Sequence, residues 1–517
     1  MASPSEKLAE ALEALHSLQQ KDIVAIKTRE LKRMYRERLL ANGYLSEVTK
    51  GWYIPRHPNE KKGDSTSWYS SYWEFCSRFL NEKYKDKWVV SPEQSVQIHA
   101  GNWSIPKQLL ARSTKAANHI VKLPFDTSLF TIKTALPLPE HIEVQQNIRL
   151  YTLSAALVFC SANTFKQSPI ESRTALSMVR DSSEILSVLL SGGHSTYAGR
   201  LAGAFRNIGR DRIAQDILET MTGAGYDVRE TDPFEKKLEI NLPSRERSPY
   251  VNRLHLMWNF MRATAIKNFP KAPGIPKDKE NYLKAVDDIY VTDAYHSLSI
   301  ERYRVSAELI ERVRTGQWNH HENEADRTHR DAMAARGYWQ AFQVVKESVQ
   351  KIISGENAGK VVDQDHGRWY RELFAPSVAA GILKATDLAG YRTNHVYIGG
   401  SKHVPLNVDA LRDAMPTLFD LLEKEPEASV RAVLGHFIFV YIHPYMDGNG
   451  RMGRFMMNAM LSSGGYPWTV IPVQQRDAYM EALESASTKQ NIEPFAKFLG
   501  SLVDQGLKGI TVAKIPE

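Results

Sequence analysis

The sequence predicts a mainly α protein of about three domains, with strand-like segments clustered before residue 136. Three observations predict it. The chain has 517 residues, and at roughly 100–200 residues per domain that length supplies about three cores. Apolar residues recur at helical spacing near the start and through the second half, where Val430–Ile442 forms an apolar helical run. Short segments such as Trp88–Ser91, His119–Phe125 and Leu129–Ala135 have the apolar, β-branched character of strands.

Composition excludes several classes. With 43% hydrophobic and 24% charged residues the chain is too apolar for disorder, and its 30 glycines and 24 prolines fit no collagenous or low-complexity pattern. The net charge of +7 favours an anionic partner without identifying one. Two cysteines, Cys76 and Cys160, exclude a disulfide framework and a cysteine zinc site, which points to a reducing cytoplasm. The N-terminus lacks an apolar signal core, and no run approaches the ~18 apolar residues of a membrane span, so a soluble, unprocessed chain with no membrane partner is expected.

Leu8, Leu12, Leu15 and Leu18 predict a helix from Ser5 to Gln19. Lys27 to Arg38 reads as a basic amphipathic helix, ended by Asn42-Gly43. Tyr44–Val48 and Gly51–Ile54 read as two strands joined at Thr49-Lys50. Helices followed by such a hairpin predict a winged helix at 1–56, able to offer Arg33 and Arg36 to DNA phosphates. Residues 57–235 read as a mixed α/β domain, with helices through Ala155, over Ser177–Leu190 and over Tyr197–Met221. Residues 236–284, with the proline-rich Asn268–Lys279, read as a connection, and 285–510 as a helical core.

The chemistry lies in His443-Pro444-Tyr445-Met446-Asp447-Gly448-Asn449-Gly450-Arg451-Met452-Gly453-Arg454. An apolar helical run precedes it and a second helical pattern follows it. Gly448 and Gly450 at the start of the second helix allow backbone N–H groups to converge on an anion. Arg451 and Arg454, at i and i+3, share a helix face and bind phosphate oxygens by guanidinium forks. Asp447 is a hard oxygen suited to Mg²⁺. His443 titrates where it can take a proton from an attacking hydroxyl. Together these residues describe phosphoryl or nucleotidyl transfer.

This segment resembles the Fic family motif, His-x-Phe-x-Asp/Glu-Gly-Asn-Gly/Lys-Arg-x-x-Arg, with Tyr445 in place of Phe. The resemblance implies an all-α core carrying a β-hairpin flap. It also implies AMPylation, in which a Ser, Thr or Tyr hydroxyl of a target protein, the chain itself included, attacks the α-phosphorus of Mg·ATP. By the same resemblance His443 is the general base and Asp447 the metal ligand. Gly448, Asn449 and Gly450 form the anion hole, and Arg451 and Arg454 bind the nucleotide. Gly390–Pro405 resembles the family's target-docking flap, with Val396, Tyr397 and Ile398 on one strand and Lys402–Val404 on the other.

Ser297-Leu298-Ser299-Ile300-Glu301 resembles the inhibitory motif, Ser/Thr-x-x-x-Glu-Gly/Asn, of class II members. There the Glu pairs with the second arginine, here Arg454, and blocks the γ-phosphate. Arg302 stands where Gly or Asn is usual. The N-terminal half resembles AbiEi-type antitoxins and regulators, which bind promoter DNA, through Gly51–Pro55 and Ser91–Pro106. Three functions therefore compete: an autoinhibited AMP-transferase; a Fic enzyme using another donor or removing AMP; and a DNA-binding regulator. Tyr479 is read as bordering the adenine pocket or as core, and a homo-oligomer stays open. Gly355–Lys360 is one residue short of a P-loop, and His320, His321, Glu322 and His329 lack zinc-protease spacing.

Overall fold

The computed structural model describes residues 3–60, 63–192, 194–236, 248–316, 330–388, 390–511 and 513–516. It divides into one unit of Met1–Arg253 with Tyr397–Val404, and a second of Leu254–Val396 with Pro405–Glu517.

The first unit opens with α1 (Pro4–Gln19), started by a capping box in which Ser3 and Glu6 exchange side-chain and backbone hydrogen bonds. Next come β1 (Ile26–Lys27), α2 (Arg33–Ala41), β2 (Leu45–Thr49) and β3 (Trp52–Pro55), in an antiparallel sheet of order β1-β3-β2. Ala11, Leu15, Ile26, Leu31, Leu39, Leu45 and Tyr53 close a small core beneath it. The predicted basic helix is shorter than its charge pattern. Lys27 lies in β1, Thr28–Glu30 form a 3₁₀ turn, and the α-helix begins at Arg33.

Then α3 (Thr66–Tyr84) buries Trp68, Tyr72, Phe75 and Leu80 in a core shared with Leu109, Ala111 and Leu129. The last three belong to a four-stranded sheet of β4 (Val89–Val90), β5 (Gln108–Ser113), β6 (His119–Leu123) and β7 (Thr127–Lys133), in the order β4-β5-β7-β6. Sequence reading misses β5, which pairs in parallel with β7. It also misses the hairpin of β8 (Ile142–Gln145) and β9 (Ile148–Tyr151). The expected helix over 177–190 is divided, because one helix ends at Met178 and the next starts at Ser182. Likewise Ser195–Asn207 and Asp211–Gly223 replace the single helix expected over 197–221.

The second unit is helical. Its principal elements are residues 254–267 of the helix Pro249–Lys267, then Lys279–Ile300, Ala307–Arg314, Arg330–Ile353, Ala358–Ala379, Leu411–Lys424, Ala428–Ile442, Asn449–Ser462, Arg476–Lys489 and Glu493–Leu507. Ala428–Ile442 is buried on almost every side, as a helix apolar all round must be. Glu425, 6% exposed, caps the C-terminal end of the helix Leu411–Lys424 and ties that end to Pro249–Lys267. It accepts a fork from Arg262 at 2.9 and 2.9 Å and the Trp258 indole N–H at 3.0 Å. Glu425→Ala strands the buried Trp258 N–H and leaves the half-buried Arg262 to water, and should lower the stability of the chain by about 2 kcal/mol, read as a lower urea midpoint. An unchanged midpoint would show that the carboxylate contributes nothing.

No helix among the described residues is long and apolar enough to cross a membrane.

Candidate active site

The apolar helix Ala428–Ile442 delivers His443 at its C-terminal end, where the residue caps the helix in the left-handed region with φ 55° and ψ 61°. That conformation costs a non-glycine residue about 1 kcal/mol. The ring Nδ1 lies 3.2 Å from the Val440 carbonyl. A carbonyl only accepts, so Nδ1 carries the hydrogen and Nε2 keeps its lone pair. Burial, assisted by the positive charge of Arg392, pushes the His443 pKa down to about 4 against the hydrogen bond to the Val440 carbonyl and the charges of Glu301 and Asp447. The imidazole is therefore neutral near pH 7 and able to accept a proton.

Six residues after His443 the chain enters the helix Asn449–Ser462. Its N-cap, Gly448, has φ 81° and supplies no side-chain cap, so the first N–H groups point outward with the positive end of the helix dipole. Asn449 does not turn its side chain to an anion. Its amide brackets Tyr445, accepting from that residue's N–H at 2.9 Å and donating to its carbonyl at 2.8 Å. Only the backbone N–H of Asn449 remains for the anion-hole role.

Arg454, 3% exposed, is held by the end of the helix Lys279–Ile300. Its Nε donates to Ser297 Oγ at 2.8 Å, and Nη2 donates to the Ser297 carbonyl at 2.9 Å and to Glu301 Oε1 at 2.8 Å. Burial lowers the Arg454 pKa, but the charge and hydrogen bond of Glu301 together with the neighbouring Tyr479 and Tyr338 outweigh it, and the net shift is upward. The same Glu301 oxygen lies against Gly450, where an added Cβ would stand only 2.2 Å from it. A carboxylate thus sits at a helix N-terminus beside a buried arginine.

Arg451, also buried, places its guanidinium 5.0 Å from the Tyr303 ring centroid and 4.9 Å from that of Phe374. Its Nη2 is 3.5 Å from Asp447 Oδ2. Arg451 Nε and Arg454 Nη1 are buried with no hydrogen-bond partner among the described residues. Such donors fit a further anion.

Asp447 is 61% exposed at its side chain, and Oδ1 accepts the Gly448 N–H at 2.6 Å. No cluster of three or more His, Cys, Asp or Glu able to hold a metal occurs among the described residues. One exposed carboxylate oxygen fits Mg²⁺ that is held mainly by phosphate and water.

Tyr445 packs as the expected phenylalanine would, stacked on Tyr370 at 3.8 Å and 6°. Tyr479 is core, 1% exposed, with its hydroxyl 2.8 Å from His436 Nε2. Asn357 caps the helix Ala358–Ala379 through the Lys360 N–H, which gives the P-loop-like Gly355–Lys360 an ordinary structural role. His320, His321, Glu322 and His329 lie outside the described residues.

The flap hairpin is not formed. Val396, Tyr397 and Ile398 and their expected partners Lys402–Val404 are irregular backbone around a turn closed by the Ser401 N–H on the Ile398 carbonyl. Their main-chain groups go elsewhere, since the Lys402 carbonyl accepts from the Ile105 N–H at 2.8 Å, and Val404 packs on the core of the first unit.

Several supporting residues carry no motif. The Tyr338 hydroxyl donates to buried Asp293 at 2.6 Å, one helical turn before Ser297, and burial raises the Asp293 pKa to about 6. Arg302 has φ 67°, while the Arg302 and Tyr303 N–H groups bond the Ser299 and Leu298 carbonyls. This is a Schellman motif whose left-handed position holds arginine. A Gly or Asn at the sixth place of the inhibitory pattern was the available signal, and Arg302 meets its conformation without its residue type.

Residues 366–461 match the Fic/DOC family. Two relatives named protein adenylyltransferase Fic, from Drosophila willistoni and Drosophila melanogaster, are 39% and 36% identical over 121 residues. That stretch covers 23% of this chain and 24% of each relative, so the match spans about a quarter of their length. Among solved structures, Fic-1 from C. elegans aligns at TM-score 0.35 and 15% identity, covering 69% of this chain and 90% of that one. A Fic-domain-containing signalling protein from Bacteroides thetaiotaomicron aligns at TM-score 0.35 and 16% identity, over 52% of this chain and 100% of that one. With the motif at its loop and its match over 366–461, this chain carries a Fic/DOC-family domain.

Proposed function

We propose that the chain is a protein AMP-transferase held inactive by Glu301. The observation that carries this reading is the Glu301 carboxylate, bonded to Arg454 and lying against Gly450 at the start of a helix. An internal anion occupies a place whose donors suit phosphate.

In the reaction, the target hydroxyl gives its proton to His443 Nε2 while its oxygen attacks the α-phosphorus. The bond from that phosphorus to the bridging oxygen breaks, pyrophosphate leaves, and AMP remains on the target oxygen. Arg451 and Arg454 bind the phosphate oxygens, and the N–H groups of Asn449 and Gly450 receive charge that develops in the transition state, the Gly448 N–H being bonded to Asp447. Asp447 would hold Mg²⁺, which supplies neutralisation of the phosphate charge when bound. Ser297 holds Arg454 in place beside Glu301, and Val396, Tyr397 and Ile398 belong to the segment that would dock an extended target.

The test is incubation with Mg²⁺ and α-labelled ATP, with mass spectrometry of the adduct. An AMP adduct supports the reading, whereas a different transferred mass identifies another donor. Release of AMP from a modified target, with no transfer, identifies the reverse reaction. No adduct from the protein or its Glu301→Gly variant on any protein, itself included, would remove AMP transfer.

The strained cap gives a graded prediction. Arg302→Gly removes about 1 kcal/mol of left-handed strain from the end of the inhibitory helix and should lower basal labelling about fivefold. Higher labelling would mean that Arg302 itself helps close the site.

We also propose that the N-terminal arm is a winged helix that binds DNA, with 57–235 and 236–284 as the mixed domain and the connection before a catalytic region at 285–510. Exposed Lys32 and Arg33 at the start of α2 support the arm. Arg36 is engaged internally, donating to the Thr28 carbonyl at 3.1 Å and lying over Tyr53. Charge reversal at Lys32 and Arg33 should therefore weaken binding and flatten its salt dependence, read by fluorescence anisotropy with duplex DNA. Salt-independent or absent binding would remove this arm's role.

A further inference from the structure

Arg392 is 3% exposed in the irregular segment between the helices Ala358–Ala379 and Leu411–Lys424, yet it bonds to four separate carbonyls. Its backbone N–H donates to the Pro444 carbonyl at 2.8 Å and its Nε to the His443 carbonyl at 2.8 Å. Nη1 donates to the Asn394 carbonyl at 3.1 Å, and Nη2 donates to the Leu406 carbonyl. Burial alone lowers its pKa, to about 10, and no carboxylate among the described residues forms an ion pair with it. A buried guanidinium satisfied by main-chain oxygens is costly unless each bond is well made.

The positions of those oxygens are informative. His443 and Pro444 are consecutive, and His443 is the left-handed residue at which the chain leaves its helix. Helix C-termini leave carbonyls unpartnered, usually beside a glycine. Here a histidine holds the conformation, and one arginine grips the carbonyl on each side of the next peptide unit. Asn394 and Leu406 flank the stretch 395–405 at its two ends, so the same side chain ties both ends of that stretch to the turn bearing His443.

We propose that Arg392 is a positioning residue for His443, locking the kink that fixes the direction of the imidazole and linking it to the segment 394–406. The proposal rests on the reading of His443 as general base. Arg392 touches neither the nucleotide nor the reacting atoms in this role. It acts through the backbone of His443, whose ring tautomer depends on the Nδ1–H reaching the Val440 carbonyl. Loosening the kink moves Nε2 away from the acceptor hydroxyl while leaving the phosphate-binding arginines in place. A displacement near 1 Å in a catalytic group costs about 100-fold in rate.

The experiment uses the full chain in a Glu301→Gly background, with Arg392→Met and Arg392→Lys. For Arg392→Met, AMP transfer at saturating ATP should fall about 100-fold, with the KM for ATP within about twofold of the parent. Arg392→Lys retains the charge and a single donor nitrogen but not the fork, and should recover less than about tenfold of that loss. The ¹⁵N signals of the His443 ring, assigned with His443→Gln, should show one Nδ1–H tautomer in the parent and a mixture in Arg392→Met.

Unchanged ring signals in the substituted protein, or a rate loss matched by a rise in the KM for ATP, would overturn the proposal. If Arg392→Met does not fold, Arg392→Lys decides by the same criteria: full parental rate and tautomer would overturn it. If the Glu301→Gly parent transfers no AMP, the functional reading fails on its own, and the ring signals still judge Arg392.

Discussion

Glu301→Gly should raise protein labelling by α-labelled ATP roughly 5–150-fold over the parent, the range of a coupling of ~1–3 kcal/mol between two sites. The reason is local. Glu301 Oε1 both accepts from Arg454 Nη2 at 2.8 Å and lies against Gly450, so it competes directly with an incoming phosphate for one arginine and one helix N-terminus. Glycine removes the competing charge and frees the space. Arg454 keeps its two bonds to Ser297, which hold the guanidinium in place after the carboxylate is gone.

Two variants separate charge from bulk. Glu301→Gln retains the size and loses the anion, so its labelling should lie between parent and glycine variant. ATP affinity, measured by calorimetry, should rise in the same order. Equal labelling and equal ATP affinity in all three proteins would show that Glu301 does not close the site.

The motif was legible because its chemistry is local: His443, Asp447, Gly448 and both arginines fall within twelve residues that span one turn and the start of the helix after it, and spacing alone fixes their relation. Glu301 is more distant, but its helical run ends where the pattern of Ser297 to Glu301 ends. The structure brings it within 2.8 Å of Arg454, some 150 positions later. Arg392 was not legible. Its importance lies in which carbonyls it reaches, and backbone acceptors leave no trace in residue types.

The flap shows the opposite limit. The resemblance of Gly390–Pro405 to the family's flap implied a hairpin of Val396–Ile398 and Lys402–Val404 around Gly399-Gly400-Ser401. Strand pairing also requires that main-chain groups lack better partners, and the Lys402 carbonyl has one at Ile105. The same cause hid β5, whose Gln108–Ser113 lacks clean alternation and is fixed by parallel pairing with β7. Long-range pairing overrides local pattern in both segments.

His443→Ala, made in the Glu301→Gly background, should reduce labelling by about 10²–10⁴-fold, the range of a positioned general base. ATP binding and the thermal midpoint should stay close to those of the parent, because the ring contacts the nucleotide site only through proton transfer. The pH profile provides a stricter check. With a pKa of about 4 the His443 imidazole is neutral throughout the ordinary working range, so the rate of the Glu301→Gly protein should vary less than about twofold between pH 5.5 and 8 and fall only toward pH 4. Removing Glu301 also removes a charge that favours the protonated ring, which moves the acid limb lower still. A tenfold rate loss between pH 7.5 and 5.5 would instead describe a solvated histidine near 6.5 and would refute the lowered pKa of this half-buried base. Stability carries the same sign. The folded ring refuses a proton that the unfolded chain accepts below about 6.5, so its contribution is intact above that pH and is lost as pH falls toward 4. His443→Ala should accordingly reduce the slope of unfolding free energy against pH across that window.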